Sequence, residues 1–541
     1  MTTIVSQEAG GGRHYMTREQ ATAAYRLDAD RNIKVTKTTV LALEDPQNAA
    51  AEAKAKQEEM RKYFHSTYEL FDKIFSPMVD DDVYTFPPLH KLRHPMMFYL
   101  GHTAVVYMNK LVLAGLTPRI NAVYEEQFAT GVDEMSWDDL NEVHYSWPDA
   151  QSVWDYRKLV RDRIDELFGK FTLTLPLTFD NSTDNNDNSF FWGMMLGIEH
   201  DRIHVETASV HIRELPIAMV KPDAFWKHNE ESGEAPADNE MIEFGGGSVL
   251  VGRQADDKVY GHDSDYSDNL KIDVAPFKAS LYLVSNKEYL AFVEDGGYST
   301  QKYWDEEGWG WLQFRKVTHP TFWVPTNNSA DPAKKYLLRV QTEEVAMPWN
   351  WPCETNNLEA HAFCQWKSEK TGKKLRMPTE AEWLVMRDEC VPQDQWEWET
   401  APGNINMEHG MSSCPVNKFK QGKLYDVVGN VWQHTETPVY PYQGFKPHPF
   451  YDDFSLPTFD GKHRCQKGGA WVSTGNEATR DSRFAFRRHF YQMIGVRYVE
   501  GADVDEMAHM KNVLGLDTVV DLAAQRGFTE PPAALGVQHP H

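Results

Sequence analysis

The chain has 541 residues, 41% of them apolar, and a formal net charge of −25. This length and apolar fraction predict two to four domains, and the acidic balance disfavours nucleic acid or an anionic membrane as a partner. The sequence has no run of 18 apolar residues and no export signal, and its five cysteines form no C-x-x-C pair. We therefore expect a cytoplasmic protein in a reducing compartment, without membrane-spanning segments.

Helical periodicity dominates the first 220 residues. After an N-terminal extension over residues 1–49, we predict an up-and-down four-helix bundle within residues 50–225. Its predicted helices are residues 50–75, 95–114, 150–168 and 188–215. The stretch 229–239, rich in Glu, Gly, Pro and Asp, predicts a linker.

Short strands and turns replace the helical pattern in the second half. Residues 244–252, 271–277 and 467–472 are predicted strands, separated by stretches rich in Trp, Gly and Pro. The expected fold class is α+β, with a second domain over residues 240–500 and a C-terminal tail over residues 501–541. No glycine-rich dinucleotide or phosphate motif is found.

A pair of histidines marks the last predicted helix. His200 and His204 are four residues apart, so their imidazoles lie on one helix face and can chelate one ion. Such pairs also occur by chance on solvated helices, but the apolar flanks of this pair predict burial, where imidazoles need partners. Glu206 points elsewhere on the helix and is better placed to orient a ligand.

A third ligand must come from another segment. His102 lies in the middle of the second predicted helix, which is also mostly apolar. A core histidine there would ordinarily be a packing residue. Two buried helices with central histidines are more simply explained if they face each other across a three-imidazole metal site.

The second half resembles the formylglycine-generating-enzyme-like domain, a C-type-lectin-related fold. The resemblance rests on four motifs in order, at residues 375–383, 424–435, 467–471 and 486–497. The helical half in turn resembles a DinB-like bundle. The combination, with His102 and the pair His200 and His204, is similar to the non-haem iron sulfoxide synthases.

Two branches of that group differ in substrate. The ergothioneine branch joins a thiol to trimethylhistidine, and the ovothiol branch joins L-cysteine to C5 of L-histidine, both with O2. The segments that resemble the ovothiol branch, 5-histidylcysteine sulfoxide synthase, are 92–95, 131–141, 197–200 and 482–488. Arg483 also stands where the ergothioneine branch carries an acid, within Asp481-Ser482-Arg483.

The resemblance implies roles for further residues. Three neutral imidazoles would hold Fe(II) and leave positions for a thiolate and O2. Tyr451 matches the family's catalytic tyrosine, which donates a proton or hydrogen atom, and Tyr442 is the rival position. The candidates for substrate binding are Asp481, Arg483, Arg487 and Arg488, the arginines through bidentate contacts with carboxylates. A surface ion pair is the alternative for at least one arginine.

One departure from the ovothiol branch concerns methylation. Members of that branch commonly continue into a methyltransferase domain, for which the residues after Tyr498 are too few. We therefore expect a separate methyltransferase and a lyase as partners in the same pathway, or a truncated chain.

Other functions remain open at this point. Besides ergothioneine-type synthesis, a DinB-like bundle could act as a metal-dependent thiol transferase, although the second half would then have no role. A carbohydrate-binding module would explain the tryptophans but not the histidines.

Overall fold

The computed structural model describes residues 40–88, 93–129, 146–222, 225–326, 334–393, 401–443, 445–450 and 452–502. Internal contacts divide the chain into two compact units. The first comprises Met1–Asp223 and Asp256–Tyr260, and the second comprises Ala224–Ala255 and Gly261–His541.

The first unit is helical. Its helices are α1 (Ala49–Ile74), α2 (Asp82–Thr85), α3 (Met96–Leu113), α4 (Ala122–Gln127), α5 (Ala150–Phe168) and α6 (Asn186–Glu214). The four helices predicted from periodicity correspond to α1, α3, α5 and α6 and are confirmed to within two residues at each end. Helix α6 packs on α1 and α3, and α5 packs on α3.

Helix α6 is the central helix of this unit. The side chain of Asn185 caps its start by accepting a hydrogen bond from the amide of Asn188. From Asn188 to Arg213 every residue is buried, including several charged ones. A helix that is buried on all sides needs hydrogen-bonding partners inside the protein for its polar side chains. The contacts of these side chains form the candidate site of the first unit.

The second unit mixes helices and short strands. Its helices are α7 (Asn286–Glu294), α8 (Glu306–Arg315), α9 (Asn357–Thr371), α10 (Glu380–Cys390) and α11 (Asp452–Thr458). Its strands are β1 (Met241–Phe244), β2 (Gly247–Leu250), β3 (Lys271–Val274), β4 (Phe277–Ser280), β5 (Trp323–Pro325), β6 (Tyr336–Arg339), β7 (Glu344–Ala346), β8 (Leu375–Arg376), β9 (Lys420–Gln421), β10 (Leu424–Tyr425), β11 (Trp432–Pro438), β12 (His463–Lys467), β13 (Phe484–Arg487), β14 (Ile494–Gly495) and β15 (Val499–Glu500).

Two four-stranded sheets organise this unit. One has the order β1-β4-β15-β8 and the other β13-β12-β11-β14. In the second sheet β11 runs antiparallel to β12, with His434 opposite Gln466, and parallel to β14. A three-stranded sheet, β5-β6-β7, and the pairs β2-β3 and β9-β10 complete the unit. The expected mixture of helix and sheet is therefore present.

Glycines divide the predicted strands. The segment 244–252 forms the end of β1 and all of β2, because Gly246 adopts φ +71 and a Cβ there would lie 2.2 Å from Val274 O. The predicted strand 467–472 is wrong beyond Lys467. Gly468 and Gly469 take φ of +103 and +76, which end β12.

Across the described ranges, no helix is both long and apolar enough to cross a membrane. All five cysteines are buried and free.

Candidate metal centre

Three histidines from two helices meet inside the first unit. His102 lies on α3, and His200 and His204 lie on α6. Each is only 4% exposed, and one ligand atom from each lies within 4.8 Å of the others. They are the single group of three or more metal-ligating side chains found in the part of the chain that the structure describes.

The two histidines of α6 have the spacing that one shared ion requires. The Nε2 atoms of His200 and His204 are 3.1 Å apart. Two metal–nitrogen bonds of about 2.0–2.1 Å to a single ion hold their nitrogens roughly 3 Å apart. The arrangement of the imidazoles therefore fits a bound divalent metal ion.

A backbone carbonyl fixes the orientation of His102. Its Nδ1 lies 2.6 Å from Phe128 O, directly after α4. Because a carbonyl can only accept, Nδ1 carries the proton and Nε2 presents its lone pair, as a metal ligand must. Gly101 permits this contact, since a Cβ at residue 101 would lie 2.6 Å from the Phe128 ring.

A buried ion pair holds α3 near its histidine. The guanidinium of Arg157, on α5, lies 2.6 Å from an Asp72 carboxylate oxygen. It also donates hydrogen bonds to Leu100 O (3.0 Å) and Thr103 Oγ1 (2.7 Å), which flank His102 on α3. Burial raises the pKa of Asp72 despite this partner. The pair thus links α1, α3 and α5.

Glu206 is also buried, with 1% of its surface exposed.

The second ring nitrogen of His204 contacts a hydroxyl. His204 Nδ1 lies 3.2 Å from the hydroxyl of Thr207, on the opposite side of the ring from Nε2. Sequence reasoning missed Thr207 and the Phe128 carbonyl. The spacing of Thr207, three residues after His204 on the same helix, could have indicated its contact. No spacing in the sequence indicates that the carbonyl of Phe128 lies beside His102.

Tyr442 and Arg483 lie together in the second unit. The Arg483 guanidinium carbon stacks 4.0 Å from the centre of the Tyr442 ring, and Tyr442 donates a hydrogen bond of 2.9 Å to Glu380. Arg483 lies 3.3 Å from the same Glu380 oxygen and donates to Tyr440 O at 2.8 Å. Burial raises the pKa of Tyr442 well above its ordinary value, so its phenol stays protonated.

Glu380 is the acid at the centre of this cluster, and sequence reasoning missed it. Burial alone would raise its pKa, but the charges of Arg483 and Lys467, together with hydrogen bonds from Tyr442 and Cys465, lower it below its ordinary value. Lys467 lies 3.7 Å from Glu380 and donates to Ser482 O at 2.7 Å. No pattern in the sequence pairs these distant charges.

The remaining candidates for substrate binding lie in separate ion pairs. Asp481 lies 2.7 Å from Arg480, and Arg487 lies 3.2 Å from Asp460. Arg488 contacts Asp305 at 2.7 Å and Glu307 at 2.9 Å. The structure therefore does not gather the three predicted arginines into one cluster.

Tyr451 lies outside the described residues, as do segment 131–141 and residue 92. The residues on either side of Tyr451 share one partner. Asp263 accepts a hydrogen bond of 3.0 Å from the His448 amide and another from the Ser455 hydroxyl. Burial raises the pKa of Asp263 to about 7.

Comparisons with known proteins find one family match and several curated relatives. Residues 228–502 match the family described as "Sulfatase-modifying factor enzyme 1-like domain". "Hercynine oxygenase" of Mycobacterium tuberculosis is 28% identical over 213 residues, 37% of this chain and 47% of that relative. "Ergothioneine biosynthesis protein 1" of Schizosaccharomyces pombe is 22% identical over 441 residues, 75% of this chain and 51% of that relative.

The chain spans about half the length of these curated relatives. Among solved structures, "Treponema denticola variable protein 1" is 16% identical, with a TM-score of 0.33, and covers 48% of this chain and 94% of its own. That likeness is too low to carry an argument. The family match, in contrast, covers just over half of the sequence, so the chain belongs to the family of the sulfatase-modifying factor enzyme 1-like domain.

Proposed function

We propose that this protein is an O2-dependent non-haem Fe(II) sulfoxide synthase, which joins a thiol to an imidazole substrate by a C–S bond. The observation that carries the proposal is the group of three buried imidazoles with ligand atoms within 4.8 Å of one another. The names of the relatives, hercynine oxygenase and ergothioneine biosynthesis protein 1, support the same class. In this proposal the helical unit is a DinB-like bundle.

The histidines have the chemical character that iron requires. His102, His200 and His204 would hold Fe(II) as neutral imidazoles, with Glu206 helping to orient the ligand helix. The bound ion would supply redox chemistry toward O2 and stabilise the thiol as a thiolate. The burial of all three rings excludes water and strengthens charge interactions at the site.

A tyrosine is the proposed hydrogen donor. The hydroxyl of Tyr442 donates a hydrogen bond of 2.9 Å to Glu380. The only proton of this hydroxyl is therefore already engaged within the protein. Tyr451 therefore remains the preferred catalytic residue. His448 and Ser455, which precede and follow it in the sequence, both donate hydrogen bonds to Asp263.

For the substrates, we propose L-cysteine and unmodified L-histidine, as in ovothiol biosynthesis. The support is the sequence Asp481-Ser482-Arg483, where the ergothioneine branch carries an acid at the third position. Arg487 and Arg488 remain proposed contacts for substrate carboxylates, although each has an acidic partner in the protein. Asp481 is a further candidate for substrate contact.

Hercynine, which is trimethylhistidine, is the second candidate for the imidazole substrate. The names of the relatives favour it, since one is a hercynine oxygenase that is 28% identical to this chain over 213 residues. The same metal centre would serve either substrate, because the two differ only at the amino group.

One competition experiment tests both levels of the proposal. The protein is reconstituted anaerobically with Fe(II), supplied with cysteine and equal amounts of histidine and hercynine, and exposed to O2. We expect iron-dependent sulfoxide, identified by mass spectrometry, mostly from histidine. A dominant hercynine product would assign the ergothioneine type. No sulfoxide with either substrate, together with zinc as the metal bound on purification, would favour the thiol transferase.

A further inference from the structure

The carbonyl that orients His102 belongs to a short segment of the chain. Phe128 directly follows α4, which has only six residues. A helix of this length is not stable by itself, because few hydrogen bonds offset the cost of helix nucleation. Contacts with the rest of the first unit must therefore hold α4, and with it the carbonyl of Phe128, in place.

Glu125, in the middle of α4, makes such contacts from inside the protein. Its side chain has no exposed surface. One carboxylate oxygen accepts hydrogen bonds from the amides of Ile120 (2.8 Å) and Asn121 (3.0 Å), which precede α4, and from the Tyr156 hydroxyl on α5 (3.4 Å). The other oxygen lies 3.3 Å from the guanidinium of Arg119. The carboxylate thus fixes the path of the chain into α4.

The backbone of Glu125 is bonded to α3, the helix that carries His102. Asn109 lies on α3 two turns after His102, and its side-chain amide donates a hydrogen bond of 2.9 Å to Glu125 O. Within the same segment, the amide of Phe128 donates to Tyr124 O at 2.9 Å. These bonds hold α4 against α3, where Phe128 O lies 2.6 Å from His102 Nδ1.

We propose that Glu125 is a positioning residue for the metal ligand His102. It acts through α4 and the Phe128 carbonyl, which accepts the Nδ1 proton and leaves Nε2 as the ligand atom. The ring centre of His102 lies 5.1 Å from that of His200 and 4.8 Å from that of His204. Loss of a contact that orients a ligand ring typically weakens metal binding about 10- to 100-fold.

This inference rests on the proposed function, because it requires that the three histidines bind a metal. The test uses the full chain loaded with Co(II), whose affinity is measured by competition with a coloured chelator. Paramagnetic Co(II) also shifts the ring N–H signals of its histidine ligands in the proton NMR spectrum. The signal of His102 is identified by its contact with the Phe98 ring, which stacks on it at 4.7 Å. Exchange of this proton with water reports the hydrogen bond to Phe128 O.

We expect E125A to weaken Co(II) binding about tenfold or more. Exchange of the His102 N–H should become faster, while the signals of the other two ligand rings change less. E125Q keeps an oxygen that can accept both amide hydrogen bonds. It should therefore retain the Co(II) affinity to within about threefold, because the ion pair that it loses involves Arg119, which is 44% exposed.

Q57A is the matched control. Gln57 also bonds backbone groups of the first unit, since it accepts from the Leu173 amide at 3.0 Å and donates to Phe168 O at 2.9 Å and to Phe171 O at 3.0 Å. These groups lie at the end of α5 and just after it, in a segment that carries none of the three ligands. Q57A should lower stability but leave the Co(II) affinity and the His102 signal unchanged.

Unchanged affinity and exchange in E125A would overturn the assignment. Equal losses in E125A and E125Q would also overturn it, because the charge of Glu125 would then act instead of its hydrogen bonds. Equally fast exchange at all three ligand rings would overturn it as well, since the effect would be a general loosening of the unit. If E125A takes up no cobalt, N109A decides the question, because loss of the Asn109 bond should also speed exchange at His102.

The wild-type protein separates failure of this assignment from failure of the proposed function. If it binds no Co(II), or shows no shifted ring N–H signals, the proposed metal centre fails, and the role of Glu125 fails with it. A normal wild-type spectrum together with unaffected variants overturns the role of Glu125 alone.

Discussion

Gly197 on α6 lies directly against the ring of Tyr107 on α3. A Cβ atom at residue 197 would lie only 2.3 Å from Tyr107 Cδ1. The Tyr107 ring cannot easily move away, because it is buried and packs edge-on against Phe64, with ring centres 5.3 Å apart. The close approach of the two helices that carry the metal ligands therefore depends on the absence of a side chain at Gly197.

Replacing Gly197 by Ala should push α3 and α6 apart. We expect a loss of about 1–3 kcal/mol in the free energy of unfolding, as for other overpacked cores, and weaker binding of Co(II). Gly310→Ala is the matched control, because Gly310 also lies in a helix but has open space around its Cβ position. The control should keep wild-type metal affinity and gain up to about 1 kcal/mol in stability. Normal cobalt affinity in Gly197→Ala would contradict the packing argument.

Each of the three histidines should be required for metal binding. Alanine at His102, His200 or His204 removes one nitrogen from the group, so bound iron, measured by elemental analysis after reconstitution, should fall together with activity. His65→Ala serves as the control, because His65 also belongs to the first unit but pairs with Asp165. Full iron occupancy in all three variants would refute the metal centre.

Arg157→Met should destabilise the first unit strongly. The substitution leaves the carboxylate of Asp72 buried without its cation, which costs about 3–5 kcal/mol. Arg61→Met is the control, because its pair with Asp165 also joins α1 to α5 but is partly exposed, and should cost at most about 1 kcal/mol. Urea unfolding measures both losses. Similar losses in the two variants would show that burial of the Arg157 pair is unimportant.

The stability of the second unit should depend on the protonation of Asp263. Burial raises the pKa of this group from 3.8 to about 7, so the folded protein binds the proton more tightly than the unfolded chain. The contribution of Asp263 to stability therefore falls as the pH rises from about 4 to about 7. Asp263→Asn should make the free energy of unfolding less dependent on pH over this range.

Asp295→Asn provides the control for that pH dependence. The hydrogen bond from Lys370 lowers the pKa of Asp295, so this group stays ionised throughout the range, and its replacement should leave the slope unchanged. An unaltered slope in Asp263→Asn, measured by urea unfolding at several pH values, would argue that Asp263 is ionised in the folded protein.

The two candidate tyrosines should have different phenotypes. Tyr451→Phe keeps the ring and deletes the hydroxyl, so it should retain iron but divert turnover from sulfoxide toward cysteine sulfinic acid. Tyr442→Phe should instead lower stability by roughly 1–3 kcal/mol, because the buried Glu380 loses a hydrogen bond of 2.9 Å, and should keep the product ratio. Mass spectrometry of the products separates the two. A reversed pattern would move the catalytic role to Tyr442.

Features that depend on local periodicity could be predicted before the fold was known. The bounds of α1, α3, α5 and α6 follow from the spacing of apolar residues, and the pairing of His200 with His204 follows from one turn of helix. Even His102 could be inferred as the third member, because a central histidine in an apolar helix needs a partner. The spacing of apolar residues predicts helices and their buried positions without knowledge of the fold.

Contacts between segments far apart in the sequence became visible only in the folded chain. Phe128 O contacts His102, and Glu380 contacts both Tyr442 and Arg483. Asp263 accepts hydrogen bonds from residues on either side of Tyr451 in the sequence. Strand β12 also ends at Lys467, where two glycines take positive φ. These contacts depend on turns of the chain that bring distant groups within hydrogen-bonding distance. The periodicity of apolar residues does not predict which distant groups meet.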